Sequence, residues 1–282
     1  MRIGTQNDRL VIIGPDGIGT LDVEQASQGR FSSDPQAVYD SWAQFVAWAD
    51  GVEMPDGEPV SPESLGSPVP RPRQVFAVGL NYAEHAKESG LDLPVAPLVF
   101  TKFPSSITGP TGTIELSGPR VDWEVELVVV IGAAARRVAE ADSWHHIAGF
   151  TAGQDISDRA VQQAGTSPQF SLGKSFDRYA PLGPWLVSID EFRDPDDLSV
   201  RTDLNGETVQ DSRTSDLVFS VPYLVSYLSN IATLYPGDII FTGTPSGVGM
   251  GMKPERYLMD GDIVTTTIEG IGSMTHTFAD PR

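Results

Sequence analysis

Along most of the chain, apolar residues come in short β-branched runs separated by turn residues, and only two stretches space them as a helix would. The N-terminal RIGTQ and RLVIIG read as strands, each followed by a turn, at Asn7-Asp8 and at Pro15-Asp16-Gly17. Over residues 35–50, Val38, Trp42, Phe45, Val46 and Ala49 fall at helical spacing behind Asp34, a candidate N-cap. The Pro-, Ser- and Gly-rich MPDGEPVSPESLGSPVPRPRQ then reads as a linker ending near residue 73. From Gln74 onward strands dominate: QVFAVGLN, PLVFTKF, the run at 121–131, GPWLVSI, SVRTDLNGE, DIIFTGT and DIVTTTIEG, with Asn205-Gly206 as a hairpin turn. The second helical stretch is VPYLVSYLSNIAT at 221–233. The pattern predicts an α+β, β-dominated fold without regular βαβ alternation. It divides into a small N-terminal β-rich domain with its linker over residues 1–70 and a main domain over residues 74–282.

Residues 121–132, VDWEVELVVVIG, break the pattern. The segment ends as a buried strand, yet Asp122, Glu124 and Glu126 lie on the way into it. Alternation puts Glu124 and Glu126 on one side of the strand. Either that face is wet and acidic, or something positive sits between the two carboxylates and offsets their repulsion.

Composition narrows the choice of partner. The 282 residues include 40% hydrophobic side chains, so a sizeable core is expected. With 38 acidic against 19 basic residues, the formal net charge is −19. That field disfavours nucleic acid and anionic membrane surfaces, and an anionic substrate then needs a local positive pocket. There is no cysteine, which excludes disulfide and thiol chemistry and fits a cytoplasmic location. The opening MRIGTQNDRL is too polar for a signal peptide, and no apolar stretch is long enough to span a bilayer.

A third acid, Asp155 in GFTAGQDISDRAVQ, supports the cation reading, although a lone aspartate there also suits a turn or helix cap. Three carboxylates without histidine or cysteine form an oxygen-only set suited to Mg²⁺, Mn²⁺ or Ca²⁺ rather than Zn²⁺ or copper. In GLNYAEHAKESG, His85 precedes Glu88 by three residues, so the two can touch on a helical turn. A carboxylate bound to imidazole fixes its tautomer and raises its basicity, as a base that activates water requires; an exposed helix with ordinary polar residues is the alternative. Lys102 and Lys174 each sit in a Gly/Pro/Ser-rich loop after an apolar segment, where binding residues are presented but solvated lysines are also common. PGDIIFTGTPSGVGMG imitates a dinucleotide fingerprint, yet Pro254 follows instead of a helix, which rejects that reading. A glycine-rich loop offering backbone N–H groups and the Thr244 hydroxyl to an oxygen anion fits better.

Taken in order, GLNYAEHAKE, FTKFPSSITGP, DWEVELVVVIG, GFTAGQDISDR, LGKSFDRYAPLGPW, NGETVQDSRTSDLVFS, PGDIIFTGTPSGVG and GDIVTTTIEGIG resemble the fumarylacetoacetate hydrolase family over nearly all of residues 75–272. The first 70 residues look like the small extra domain that many members carry. The resemblance implies a mixed β-sandwich or roll core and a homodimer. It also implies Mg²⁺ or Mn²⁺, with Ca²⁺ as an alternative occupant, held by Glu124, Glu126 and Asp155. The family's histidine–glutamate dyad falls on His85 and Glu88, its catalytic lysine on Lys174, and substrate-binding positions on Lys102, Arg159, Gln162, Gly243 and Thr244. Two departures stand out: Gln154 replaces the usual asparagine before the metal aspartate, and Asp158 and Ala160 stand where alanine and aspartate are typical.

By this resemblance the substrate is a small 2-oxo or 1,3-diketo acid. The leading expectation is hydrolytic C–C cleavage of an acylpyruvate-like 2,4-dioxo acid, in catabolism of aromatics or sugar acids. Decarboxylation of oxaloacetate and isomerisation or tautomerisation of a 2-hydroxy-dienoate need the same stabilised enolate and remain alternatives. A non-catalytic metal- or ligand-binding domain is a reading of another class.

Overall fold

The computed structural model describes residues 1–88 and 90–281, apart from the side chain of Asp16. In chain order, the strands used below are β1 (Arg2–Gln6), β2 (Arg9–Ile13), β3 (Thr20–Asp22), β4 (Val75–Gly79), β5 (Leu98–Thr101), β6 (Thr111–Glu115), β7 (Val125–Ile131), β8 (Ile147–Gln154), β9 (Ala180–Ser188), β10 (Ser199–Leu204), β11 (Glu207–Arg213), β12 (Ile239–Phe241), β13 (Ile263–Ile268) and β14 (Gly272–Ala279). The helices are α1 (Trp42–Ala49), α2 (Ala83–Glu88), α3 (Arg159–Gln162), α4 (Phe170–Gly173) and α5 (Val221–Ser229).

Two mixed sheets hold most of the strands, beside a small two-stranded pairing of Val121–Asp122 with Ser157–Asp158. The larger runs β3-β2-β1-β9-β8-β7-β12-β4-β5, and the smaller runs β11-β10-β13-β14-β6. Most neighbours are antiparallel, but β12 pairs with β4, and β14 with β6, in parallel. The fold is β-dominated, as the pattern predicts, and its two large sheets share a core, as the mixed β-sandwich implied by the resemblance requires.

Strand β7 explains its own hydrophobic run. Val125, Leu127, Val129 and Ile131 enter a core shared with Val200 of β10, Ile268 of β13 and Met274 of β14. The alternate Val128 and Val130 enter a second core with Ile3, Leu10, Ile12 and Phe45. Both faces are covered, so the strand reads as continuous rather than alternating. Residues 1–70 thus supply the cover for one face, and β1 joins the main sheet by pairing with β9.

The turn predicted at Asn7-Asp8 and the hairpin turn predicted at Asn205-Gly206 are both present. Asn7 and Asp8 take φ values of 50 and 61°, and Asn205 and Gly206 take 53 and 85°, the doubly positive pair of a two-residue turn. The helix expected over 35–50 is tighter at its start: Ala37–Ser41 is a 3₁₀ turn before α1 with Gln36 at its cap position, and Asp34 sits earlier, where its Oδ1 accepts from the Gln36 N–H at 3.0 Å instead of capping the helix. The helix expected over 221–233 ends at Ser229, where the Asn230 side chain takes the Ser226 carbonyl at 2.9 Å and Ile231 turns out to solvent. Strand β8, central to the sheet, has no counterpart among the expected elements. Its glycines hide it: a Cβ at Gly149 would strike the Val187 carbonyl, and one at Gly153 would strike Val128 and Phe241. Among the described residues, no helix is long and apolar enough to cross a membrane.

Candidate active site

The opening puzzle resolves at the end of β7. Val125 of β7 lies opposite Gln154 of β8, so the residues flanking this pair, Glu124 and Asp155, leave the sheet together. The Asp155 N–H donates to the Glu124 carbonyl at 2.9 Å and locks them side by side. Glu126, on the same strand face as Val128, turns into the same space. One carboxylate oxygen from each of Glu124, Glu126 and Asp155 lies within 4.8 Å of the others, and all three residues are buried.

Buried charge of that density needs compensation. Lys174, directly after α4, donates from Nζ to Glu124 Oε2 at 2.8 Å, Asp155 Oδ2 at 2.6 Å and Ser157 Oγ at 2.8 Å. Lys102, directly after β5, donates to Asp155 Oδ1 at 2.6 Å and to the Lys174 carbonyl. Arg159, the first residue of α3, reaches Glu124 Oε1 with Nη1 at 2.6 Å and Asp122 Oδ2 with Nε at 2.8 Å. Asp122 also accepts from the Gly249 N–H at 2.7 Å and the Met250 N–H at 3.1 Å.

Four buried carboxylates (Asp122, Glu124, Glu126, Asp155) thus face three buried cations (Lys102, Arg159, Lys174), which leaves one negative charge in excess. The excess falls on Glu126. Burial, Asp155 and Glu124 together push its carboxyl well above the usual range. Glu124 goes the other way: burial opposes it, but Lys174, Arg159 and His85 hold it down to about 2. An uncompensated carboxylate inside a converging oxygen-only set is what a hard divalent cation satisfies, so the residues fit Mg²⁺ or Mn²⁺.

The other candidates surround a cavity of about 330 Å³ lined by His85, Glu124, Arg159, Gln162, Lys174 and Thr244, with Leu80, Phe100, Phe170 and Met250 as its apolar wall. His85 Nδ1 lies 3.4 Å from Glu88 Oε2 on α2. Glu88 is itself held by the Gly247 N–H, at 3.0 Å to Oε1 and 3.2 Å to Oε2, and its side chain packs against Gly251. The dyad therefore ties α2 to the loop after β12.

Two expected substrate contacts are placed differently. Lys102 is fully buried beneath the cavity as a counter-charge to Asp155 and is not part of the lining. The Gly243 N–H is spent on Glu126 Oε2 at 2.6 Å. Asp158, one of the departures, accepts from the Ala160 and Val161 N–H groups at 2.9 and 3.1 Å and so caps α3, which carries Arg159 and Gln162. Asp122 was not among the expected site residues; its place in the same acidic lead-in to β7 was the available signal.

Comparison with known proteins agrees with this architecture. The model of the fumarylacetoacetate (FAA) hydrolase C-terminal family matches residues 74–279. An oxaloacetate tautomerase, mitochondrial FAHD2A of Bos taurus, is 45% identical over 219 residues, 76% of this chain and 70% of that one. A solved structure from Mycobacterium smegmatis, provisionally designated HpcE, is 51% identical over the full length of both chains with a TM-score of 0.95. A maleylpyruvate hydrolase from Sphingobium sp. SYK-6, solved with manganese(II) and pyruvate, is 27% identical over the full length of both, with a TM-score of 0.78. The chain belongs to the fumarylacetoacetate hydrolase family.

Proposed function

We propose that the chain is a divalent-metal-dependent enzyme of 2-oxo acids that hydrolyses an acylpyruvate-like 2,4-dioxo acid to a carboxylic acid and pyruvate. The observation that carries the proposal is the convergence of His85, Thr244 and Lys174 on one cavity whose lining includes Glu124 of the acidic triad. Glu124, Glu126 and Asp155 would hold the cation, and when bound it would supply Lewis-acid stabilisation of the negative charge of an enolate.

The chain's own residues do the rest. Glu88 accepts from Nδ1 of His85, which leaves Nε2 to take a proton from water. The hydroxide adds to the distal carbonyl, and the Thr244 hydroxyl donates to the oxygen that becomes negative there. The C–C bond then breaks, its electrons pass into the pyruvate enolate, and the proton held on His85 returns to carbon. Arg159 and Lys174 offset the substrate's carboxylate and the enolate oxygen, and the apolar wall takes the acyl group and excludes bulk water.

A second reading is tautomerisation of a 2-oxo acid such as oxaloacetate, favoured by the 45% identity to the bovine tautomerase. It uses His85 for proton transfer at C3 and needs no water. Mass spectrometry of products from acetylpyruvate and oxaloacetate, with Mg²⁺ or Mn²⁺ supplied, distinguishes the two. Acetate with pyruvate supports hydrolysis, and faster interconversion of oxaloacetate tautomers without cleavage supports the second reading. Both activities disappear in His85→Ala while Mn²⁺ binding persists; wild-type rates in that variant refute the assigned base.

A further inference from the structure

A buried hydrogen-bond chain joins the acidic triad to the Thr244 hydroxyl, and backbone groups fix its direction. The Glu124 N–H donates to Gln154 Oε1 at 2.8 Å. With that oxygen spent on a backbone donor, the Gln154 amide nitrogen faces away and donates to Thr202 Oγ1 at 3.1 Å. The Val125 N–H donates to Gln210 Oε1 at 3.0 Å and pins the second amide in the same manner. Thr202, already accepting, gives its own proton to that oxygen at 2.9 Å. Gln210 Nε2 is thereby aimed at the Pro245 carbonyl at 3.0 Å and at Thr244 Oγ1 at 2.8 Å. An amide nitrogen offers only donors, so the Thr244 oxygen must accept. Its proton is left to donate, and Thr244 lines the cavity. All four side chains are buried, where such a chain is stiff and strong.

We infer that Gln210, oriented by Gln154 and Thr202, is a positioning residue that holds the Thr244 hydroxyl as a donor toward negative charge developing on the substrate. A free hydroxyl can rotate to present a lone pair, whereas one already accepting from Gln210 presents its proton. Gln154 gains a reason here. One methylene longer than asparagine, it holds the Glu124 N–H and still reaches Thr202 on β10, in the opposite sheet. The inference rests on the proposed chemistry at Thr244 and extends it to three residues outside the cavity.

The test is a double-mutant cycle on Mn²⁺-loaded protein, with Thr244→Val, Gln210→Glu, Gln210→Met and the two combinations with Thr244→Val. It measures kcat and KM on acetylpyruvate or oxaloacetate, whichever the wild type turns over, the affinity for oxalate as a planar mimic of the pyruvate enolate, and Mn²⁺ affinity. Thr244→Val and Gln210→Glu each lower kcat by about 100-fold, as loss of one oxyanion donor does. KM and Mn²⁺ affinity change by less than about threefold, since the effect falls on the transition state. In the Thr244→Val background a Gln210 change adds less than about twofold, because both remove the same donor. Oxalate, which mimics the enolate and lacks the distal oxyanion, binds every variant within about threefold of the wild type and so reports, without turnover, that the rest of the site is intact. A Gln210 effect that persists in full beside Thr244→Val, or Mn²⁺ affinity that falls in step with kcat, overturns the inference. If Gln210→Glu does not fold, Gln210→Met decides by the same criteria. A wild type that neither binds oxalate nor turns over either acid overturns the site reading itself, and this inference with it.

Discussion

The Gly243 N–H donates to Glu126 Oε2 at 2.6 Å, and no lysine or arginine among the described residues pairs with that carboxylate. Glu124 and Asp155 each have cationic partners, so Glu126 alone carries charge that the protein leaves unmatched. Because its folded-state pKa is raised, the metal-free protein loses stability as pH climbs above the ordinary carboxylate range. Glu126→Gln therefore unfolds at higher urea than wild type in metal-free buffer at neutral pH. The same change weakens Mn²⁺ binding by more than the roughly 10- to 100-fold that loss of a partner outside the ligand set costs. Urea titration and calorimetry check the two halves.

Lys102 is predicted to act on stability rather than on substrate contact. Lys102→Met strips one partner from the buried Asp155, and breaking such a pair costs about 3–5 kcal/mol. Lys102→Met combined with Asp155→Asn loses less than the sum of the two single changes, because the stranded charge is gone. Denaturant unfolding of the three variants measures the coupling.

Gly251→Ala probes the dyad without touching it. The added Cβ would occupy the place of the Glu88 side chain, whose flexible end can move aside. Moving it uncouples Glu88 from His85 and from the Gly247 N–H, so kcat falls by about 10-fold or more, toward the range that loss of general-base assistance covers. Melting temperature and Mn²⁺ affinity stay near wild type. A drop in all three together would show that the loop, not the base, had been damaged.

His276 on β14 offers a pH test away from the site. Its ring is buried, donates from Nε2 to the Gly109 carbonyl at 3.0 Å, and is pushed down to about 4 by burial. Since the carbonyl is an acceptor, Nε2 carries the proton. The unfolded chain binds a second proton near pH 6.5 while the native one resists it, so stability from this group is full above that pH and drains as pH falls toward 4. Between pH 7.5 and 5 the loss is about 2 kcal/mol. His276→Gln flattens that part of the urea-stability profile.

Much of the fold was legible because local chemistry and tertiary packing agree. Asn7-Asp8 and Asn205-Gly206 are pairs that accept positive φ at little cost, and the valines of β7 suit a strand buried on both faces. Strand β8 escaped because its glycines, read alone, argue for a loop; only the closeness of Val187, Val128 and Phe241 makes them necessary. At the site, spacing within one segment was readable, as in Glu124 with Glu126 or His85 with Glu88. Long-range pairing was not. That Lys102 lies beneath Asp155, or that Gln210 reaches Thr244 from the other sheet, depends on strand order, which no single stretch encodes.

The most direct measurement is Mn²⁺ binding by calorimetry on the wild type and on Glu124→Gln, Glu126→Gln and Asp155→Asn, each first shown to be folded. One ion per chain in the wild type, with affinity collapsing in all three variants, is the expected result. A wild type that takes up no ion at millimolar Mn²⁺, or variants that bind as the wild type does, would contradict it.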